Sequence, residues 1–336
     1  HRLAQALVLT GALIAQAMLV VVVIWAFYGF RYSAFRPPAA EQFYRPWART
    51  LADTGAVGEV IQFARQRRLL PEAYLYGTAY VYKYAQQRWA FLNGQYSLTG
   101  WPHFFPYTFL VKTPLPIFAL LLLAVVGALR SRLARRTDPD PPARGGFYET
   151  APFWILLAVY WTSAVNAKLN IGHRHILITY PVLFILAGAG IHWFRRFGRI
   201  RWAAFAVVPV CLLALAVDSF AIRPHYLTFF NPIAGGPRHA YKHLVDSSLD
   251  WGQDLPALKQ WLDRKGLGGP DSTPVYLYYF GTSRPSYYRV PATQLPGWPR
   301  REVIPLTAGV YCISATHLQR TFAPIGRWCA YYENGY

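Results

Sequence analysis

The chain alternates long apolar runs with polar segments. Five runs contain no Asp, Glu, Lys or Arg: residues 3–30, 113–129, 150–167, 175–194 and 202–217. A helix that crosses a bilayer needs about 20 mostly apolar residues, and fewer when the side chains at its ends reach for the headgroups. The pattern therefore predicts five membrane-spanning helices. The first run is too long and too uniformly apolar for a signal peptide, so we expect it to remain in the protein.

Two segments between the first and second runs are only partly apolar. Residues 50–68 carry a weak apolar stripe and end in arginines, which predicts a helix lying on a membrane surface. Residues 72–92 combine five tyrosines with small apolar side chains and turn polar from Lys83 to Arg88. We expect a second interfacial helix there, followed by a turn at Asn93-Gly94.

The pattern changes after the last apolar run. Residues 275–280 and 309–314 have the β-branched and aromatic content of short strands, and residues 254–265 and 315–322 are helical in pattern. Together they predict a small α/β domain. Cys312 and Cys329 both fall in this region, where an oxidising compartment permits a disulfide that spacing alone does not establish.

The charge distribution orients the predicted spans. The chain of 336 residues has a net charge of +19, yet its arginines cluster beside the apolar runs, at residues 130–144 and 195–201. Short basic connections favour the cytoplasm, which accounts for the basic excess without a nucleic acid partner. Residues 31–108 and everything after Arg223 are then extracytoplasmic, and membrane lipid is the expected partner.

The predicted fold is an α-helical multispanning membrane protein with interfacial helices and a small extracytoplasmic α/β domain at its C-terminus. Residues 1–30 form the first span and residues 31–108 the outer loop with interfacial helices. Residues 109–222 contain spans two to five with basic cytoplasmic loops, and residues 223–336 form the C-terminal domain. The protein is expected in the plasma (inner) membrane.

Several cations lie near one predicted depth, at the outer membrane face. They are Lys112, Lys168, His173, Arg174, His175, Arg223 and His225. Such groups either bind phosphate or anchor helix ends among lipid headgroups. For Lys168 and Arg223 we favour anchoring. The His-Arg-His cluster at 173–175 supports both interpretations equally, because three such groups in three positions exceed what anchoring needs.

Acidic residues are scarce, but three lie at intervals of four after the last predicted span: Asp246, Asp250 and Asp254. On a continuous helix they would repel one another along one face. Ser247, Ser248 and Gly252 interrupt such a helix, and Asp254 suits the cap of the next one, with Pro256 in its first turn. This explanation leaves Asp246 and Asp250 as candidates for binding cations, hydroxyls or basic side chains.

Several common chemistries are excluded. No Walker-type loop, CxxC pair or GxSxG elbow occurs, which argues against nucleotide hydrolysis, a zinc ribbon and serine hydrolase chemistry. We expect no metal site and no cofactor, and a divalent-metal requirement stays open.

Five motifs, taken together, indicate a resemblance to a known family. They are AFLNGQYS at 90–97, FLVKTPLP at 109–116, NIGHRH at 170–175 running into Tyr180-Pro181, FFNPIAGGP at 229–237, and LVDSSLDWGQDL at 244–255. The chain from about Pro71 to Leu262 resembles bacterial lipid-carrier-dependent glycosyltransferases, the multispanning C-type class related to protein O-mannosyltransferases and the lipid A aminoarabinose transferase. The resemblance weakens towards the C-terminus.

The resemblance implies a polyprenyl-phosphate-linked sugar as donor and an extracytoplasmic lipid, glycan or protein as acceptor. It also implies a catalytic carboxylate in a loop just after the first membrane helix. Glu41 is isolated there, so we expect this chain to be a fragment that lacks the catalytic N-terminal part and is inactive alone. The remaining residues would bind substrate: Lys112, His173 and Arg174 on the carrier phosphate, and Asp246, Asp250, Trp251 and Gln253 on the sugar or acceptor. His175 is also expected to bind substrate.

Two alternatives belong to other functional classes. A transporter or flippase subunit for lipid-linked sugars would need polar residues deep inside several spans, and these spans offer few beyond Ser163, Asn166 and His192. A non-catalytic membrane anchor that presents the outer domain as a binding module is the second.

Overall fold

Helices account for most of the computed structural model, which describes residues 2–35, 43–137, 147–194, 200–295 and 307–322. Contacts divide the chain into two compact units, residues 1–88 and 89–336. Glu41, Cys329 and most of the two basic connections, residues 138–146 and 195–199, lie outside the described residues.

Helices and aromatic side chains build the first unit. Its helices are α1 (Arg2–Phe27), α2 (Trp47–Leu51), α3 (Gly55–Gln66) and α4 (Glu72–Ala85). The core consists of Trp47, Ile61, Leu75, Tyr76 and Ala79. The guanidinium of Arg65, on α3, lies 4.4 Å from the centre of the Trp47 ring of α2 and 3.7 Å from the Glu72 carboxylate of α4, so one cation links three helices.

The helix predicted over residues 50–68 forms as two helices. Asp53 lies between α2 and α3 with φ of 57°, a left-handed conformation that interrupts a right-handed helix. The predicted apolar stripe also divides. Ile61 is buried in the core, whereas Val60 and the neighbouring Phe63 are exposed.

The single helix predicted over residues 72–92 is wrong in its last part. Helix α4 ends at Ala85, and residues from Trp89 onward belong to the second unit. There, β1 (Ala90–Leu92) pairs with β2 (Gln95–Ser97) in an antiparallel hairpin. The predicted turn is confirmed, because Asn93 and Gly94 both have positive φ, as a tight hairpin turn requires.

Each of the five apolar runs contains a helix. In the second unit these are α6 (Leu115–Thr137), α7 (Phe147–Asn166), α8 (Thr179–Phe194) and α9 (Ile200–Ile222), preceded by α5 (Phe104–Lys112). Among the described residues, two segments are long and apolar enough to cross a membrane, Leu3–Phe27 and Phe205–Ile222. A third qualifies if α5 and α6, which meet at 105°, count as one broken span. These helices indicate membrane association.

The predicted α/β region is confirmed near the C-terminus. Strands β3 (Val275–Tyr278), β4 (Thr293–Gln294) and β5 (Val310–Ile313) form a parallel sheet in the order β4-β3-β5. After the short helix α10 (Ala240–His243) come α11 (Leu255–Arg264) and, following β5, α12 (Ala315–Phe322). Leu255 and Leu262 of α11 pack on Val275 and Leu277 of β3, because they form one apolar side of that helix. Strand β4, only two residues long, was not predicted.

Candidate functional site

The candidate site forms around the bend between α5 and α6. Asn231 is fully buried there, and its Nδ2 donates hydrogen bonds to the carbonyls of Leu110 (2.6 Å) and Thr113 (3.0 Å). Its backbone N–H donates to the Val111 carbonyl at 2.9 Å. Carbonyls at a helix C-terminus have no partner within the helix, so Asn231 satisfies the end of α5 and fixes the last residue, Lys112.

Lys112 points towards the segment that carries the aspartates. Its Nζ donates to the carbonyls of Leu227 (2.7 Å) and Ser248 (2.5 Å) and lies 4.5 Å from the centre of the Phe230 ring. Among the described residues, no carboxylate pairs with it. An ammonium group has three donors, and two are used here. Burial lowers the pKa of Lys112 to about 7. An anionic ligand would favour the protonated form, which has one donor left for it.

His173 lies near Lys112 and is neutral. Its Nε2 lies 2.8 Å from the Tyr180 hydroxyl, which lies 2.5 Å from Thr113 Oγ1. Burial, reinforced by the nearby Lys112 charge, lowers the pKa of His173 to about 3. The imidazolium charge expected from the sequence is therefore absent at neutral pH. Its Nδ1 is buried and makes no hydrogen bond among the described residues.

The side chains of the other two members of the His-Arg-His cluster contact different parts of the unit. Arg174 is exposed, and its guanidinium lies 5.5 Å from the centre of the Trp251 ring. His175 packs edge-to-face on Phe105 of α5 at 6.1 Å, within the apolar part of the unit. The structure thus brings Lys112, His173 and Arg174 to the aspartate-bearing segment and directs His175 towards the core.

Two serines fix this segment against the turn that holds His173. Ser247 Oγ donates to the Ile171 carbonyl at 2.8 Å, and Ser248 Oγ accepts the His173 N–H at 3.2 Å. The sequence pattern predicts both serines only as residues that interrupt a helix. Their partners lie about 75 residues away in the chain, so no local pattern could reveal this role.

Asp246 has a structural position. Its φ is 56°, its Oδ1 accepts the Ser247 N–H at 2.6 Å, and its own N–H donates to Thr316 Oγ1 at 2.9 Å. The carboxylate thus stabilises a tight turn with left-handed backbone. No continuous helix joins the three aspartates, since only a short 3₁₀ turn, Asp246–Ser248, precedes α11.

Asp250 is 5% exposed and lacks a counter-ion among the described residues. Its Oδ1 accepts the Gly252 N–H at 3.0 Å, whereas its buried Oδ2 makes no well-formed hydrogen bond in the described part of the chain. Burial raises the pKa of Asp250, and the Asp254 charge adds to the shift; the amides of Gly252 and Thr316 and the Ser314 side chain oppose it. A buried acceptor of this kind favours a ligand that brings a donor.

The remaining predicted residues lie at the edge of the site. Trp251 is half exposed, and its backbone N–H donates to Gln253 Oε1 at 2.8 Å, so Gln253 supports the local turn. Asp254 stands at the start of α11 without capping it through its side chain, and pairs with His225 at 3.7 Å. Lys168 and Arg223 are exposed.

Sequence reasoning missed Thr113, Tyr180 and Asn231 as contributors. All three occur in the recognised motifs, but their partners are visible only in the fold. Chemically, the arrangement offers an ammonium donor, an exposed guanidinium and an unused ring nitrogen on one side, and a buried carboxylate oxygen on the other. No group of three or more His, Cys, Asp or Glu residues in the described ranges is placed to hold a metal ion. No protein-family model matches the chain, and no curated protein or solved structure matches it either.

Proposed function

We propose that the chain is the donor-binding part of a membrane glycosyltransferase, which moves a sugar from a polyprenyl-phosphate carrier to an extracytoplasmic acceptor. One observation carries the proposal: Lys112 and Arg174, from separate helical elements, reach the same segment, and neither forms an ion pair with a described carboxylate. In this proposal all five apolar helices cross the inner membrane, and residues 223–336 lie outside the cytoplasm.

The free donors suit a lipid phosphate. Lys112 would supply its remaining N–H and its charge, and the guanidinium of Arg174 would give a planar pair of donors. Phosphate is also the leaving group of the transfer reaction. Negative charge builds on it as the sugar departs, so fixed cations stabilise the transition state more than the bound donor and accelerate the reaction.

His173 would assist without adding charge. Its backbone N–H and Tyr180 contact hold the ring beside Lys112, and its buried Nδ1 lacks a partner. In the tautomer that places a hydrogen on Nδ1, this atom would donate to a phosphate oxygen. The Tyr180 hydroxyl would then donate to Nε2.

Lipid binding tests the proposal directly. The chain in nanodiscs is titrated with a polyprenyl phosphate and with the matching polyprenol, and bound lipid is measured by native mass spectrometry. We expect the phosphate to bind at least about tenfold more tightly than the alcohol, since a charged hydrogen bond contributes roughly 1.5–3 kcal/mol. Lys112→Met should remove most of that preference. Lys168→Met, at an exposed lysine of the same unit, is the matched control and should retain it.

Equal affinity for the phosphate and the alcohol would refute the proposal, as would an unchanged preference in Lys112→Met. A transfer assay in native membranes that contain the protein extends the test. There, Arg174→Ala should lose turnover while folding normally, and undiminished turnover would contradict the role given to Arg174.

A further inference from the structure

A second feature lies beside the Lys112 cluster and includes Asp250. An open cleft with a volume of about 640 Å³ runs between the start of α11 and the carboxyl ends of β3 and β5. Tyr279 directly follows β3, and Ser314 directly follows β5. The crevice at the carboxyl ends of parallel strands is where open α/β sheets bind their ligands, and the volume lies in the range of small-molecule sites.

The buried Asp250 carboxylate gives the cleft a specific polar group. Its Oδ2 makes no well-formed hydrogen bond among the described residues, although the Thr316 amide and the Ser314 side chain act on the carboxylate, which belongs to a side chain that lines this space. A carboxylate oxygen can accept more than one hydrogen bond, so Oδ2 has capacity left for a donor. A ligand hydroxyl would supply that donor.

The rest of the lining selects a class of ligand. Tyr241, Trp261 and Tyr279 contribute aromatic surface, and the Tyr279 hydroxyl donates to the Gly252 carbonyl at 2.6 Å, which fixes its ring. Arg238 also lines the cleft, so both signs of charge are present. An organic cation would face Arg238, and an anion would face Asp250. A neutral molecule with many hydroxyls and an apolar ring face satisfies all these groups.

We propose that this cleft binds a neutral saccharide unit, with a sugar hydroxyl donating to Asp250 Oδ2 and the sugar ring packing on an aromatic side chain of the cleft. The position agrees with the Lys112 cluster. Ser248, whose carbonyl contacts Lys112, and Asp250 are two residues apart, so their Cα atoms are separated by at most about 7 Å. The role of this sugar in transfer rests on the proposed function, whereas its binding rests on the cleft alone.

Saturation-transfer NMR on the chain in nanodiscs tests the inference. The probes are neutral methyl glycosides of common hexoses and pentoses, with tetramethylammonium and inorganic phosphate as charged comparators. We expect at least one glycoside to bind and neither charged probe to displace it. Asp250→Asn should weaken the binding about tenfold, because the charged acceptor is lost.

Two further variants separate binding from folding. Trp261→Leu changes a side chain that is 38% exposed, so the fold should tolerate it, and we expect it to weaken glycoside binding as well. The matched controls are Asp263→Asn, whose carboxylate pairs with Lys259 on the exposed surface of α11, and Tyr287→Leu, at a tyrosine that is 80% exposed. Both controls should bind glycosides like the unaltered chain.

The outcomes distinguish the two proposals. If polyprenyl phosphate binds but no glycoside does, or if tetramethylammonium displaces the glycoside, the saccharide site is wrong and the proposed function stands. If a glycoside binds through Asp250 and Trp261 while the phosphate lipid does not bind through Lys112, the saccharide site is supported and the proposed function fails.

Discussion

Asn231 provides a sensitive test of how the site is built. Asn231→Ala removes two donated hydrogen bonds, to Leu110 O and Thr113 O, and one accepted from the Ala234 N–H at 3.2 Å. The residue is 0% exposed, so water cannot replace these partners. In the variant, the Ala234 N–H keeps its hydrogen bond to the backbone carbonyl of residue 231. The carbonyls of Leu110 and Thr113 lose their side-chain partner. At roughly 1.5 kcal/mol for each, we expect a loss of about 3 kcal/mol.

Denaturant unfolding of the chain in detergent micelles measures this loss. Asn231→Asp should cost more than Asn231→Ala, because a carboxylate cannot donate and would face both carbonyls. Asn166→Ala is the control: its Nδ2 donates to the Thr162 carbonyl at 2.7 Å on an exposed helix surface, so we expect a change within about 0.5 kcal/mol. If Asn231→Ala changes stability no more than the control does, the bend is held by other contacts and our account of Lys112 is wrong.

Two more predictions concern the turn that faces Ser247 and Ser248. His173 has a pKa of about 3 in the folded chain and an ordinary value near 6.5 when unfolded, so only the unfolded chain takes up this proton between those values. Stability should fall as the pH drops below 6.5, by up to about 1.4 kcal/mol per unit, and His173→Gln should show a smaller slope in unfolding titrations; equal slopes would refute the assignment. A Cβ at Gly172 would lie 2.4 Å from Ser247 Oγ, so Gly172→Ala should cost about 1–3 kcal/mol. The cost should largely vanish in a Ser247→Ala background, and an additive double-mutant cycle would contradict the clash.

The apolar runs located the helices because their length and composition act locally. The same runs did not establish five membrane spans. Within the described ranges, only α1 and the later part of α9 meet the length and apolarity of a crossing helix by themselves. The strands at 275–278 and 310–313 were predictable from their β-branched and aromatic residues, and the helices beside them from their periodicity.

The errors came from residues whose conformation depends on distant partners. Residues 90–92 continue a tyrosine-rich helical segment in sequence but pair with 95–97, because Asn93-Gly94 allows a tight hairpin. Such side chains suit a helix and a strand alike, so composition could not decide between them.

The sequence indicated some residues of the candidate site, but neither their charge nor the supporting side chains Thr113, Tyr180 and Asn231. Sequence reasoning identified Lys112, His173, Arg174 and Asp250 as candidates, yet it gave His173 a positive charge that burial removes. The three aspartates also differ in their surroundings. The Asp246 carboxylate closes a turn, the Asp254 carboxylate pairs with His225, and Asp250 lines a cleft. These differences depend on packing between segments far apart in the chain.

The right-angled meeting of α5 and α6 has a consequence for how a lipid would arrive. If α6 stands along the membrane normal, a helix set at 105° to it runs nearly parallel to the bilayer surface. Lys112, the final residue of α5, would then lie at the level of the lipid headgroups. A polyprenyl chain could stay among its neighbouring lipids while only its phosphate slides sideways into reach, so no gate through the protein would be needed for the donor to enter.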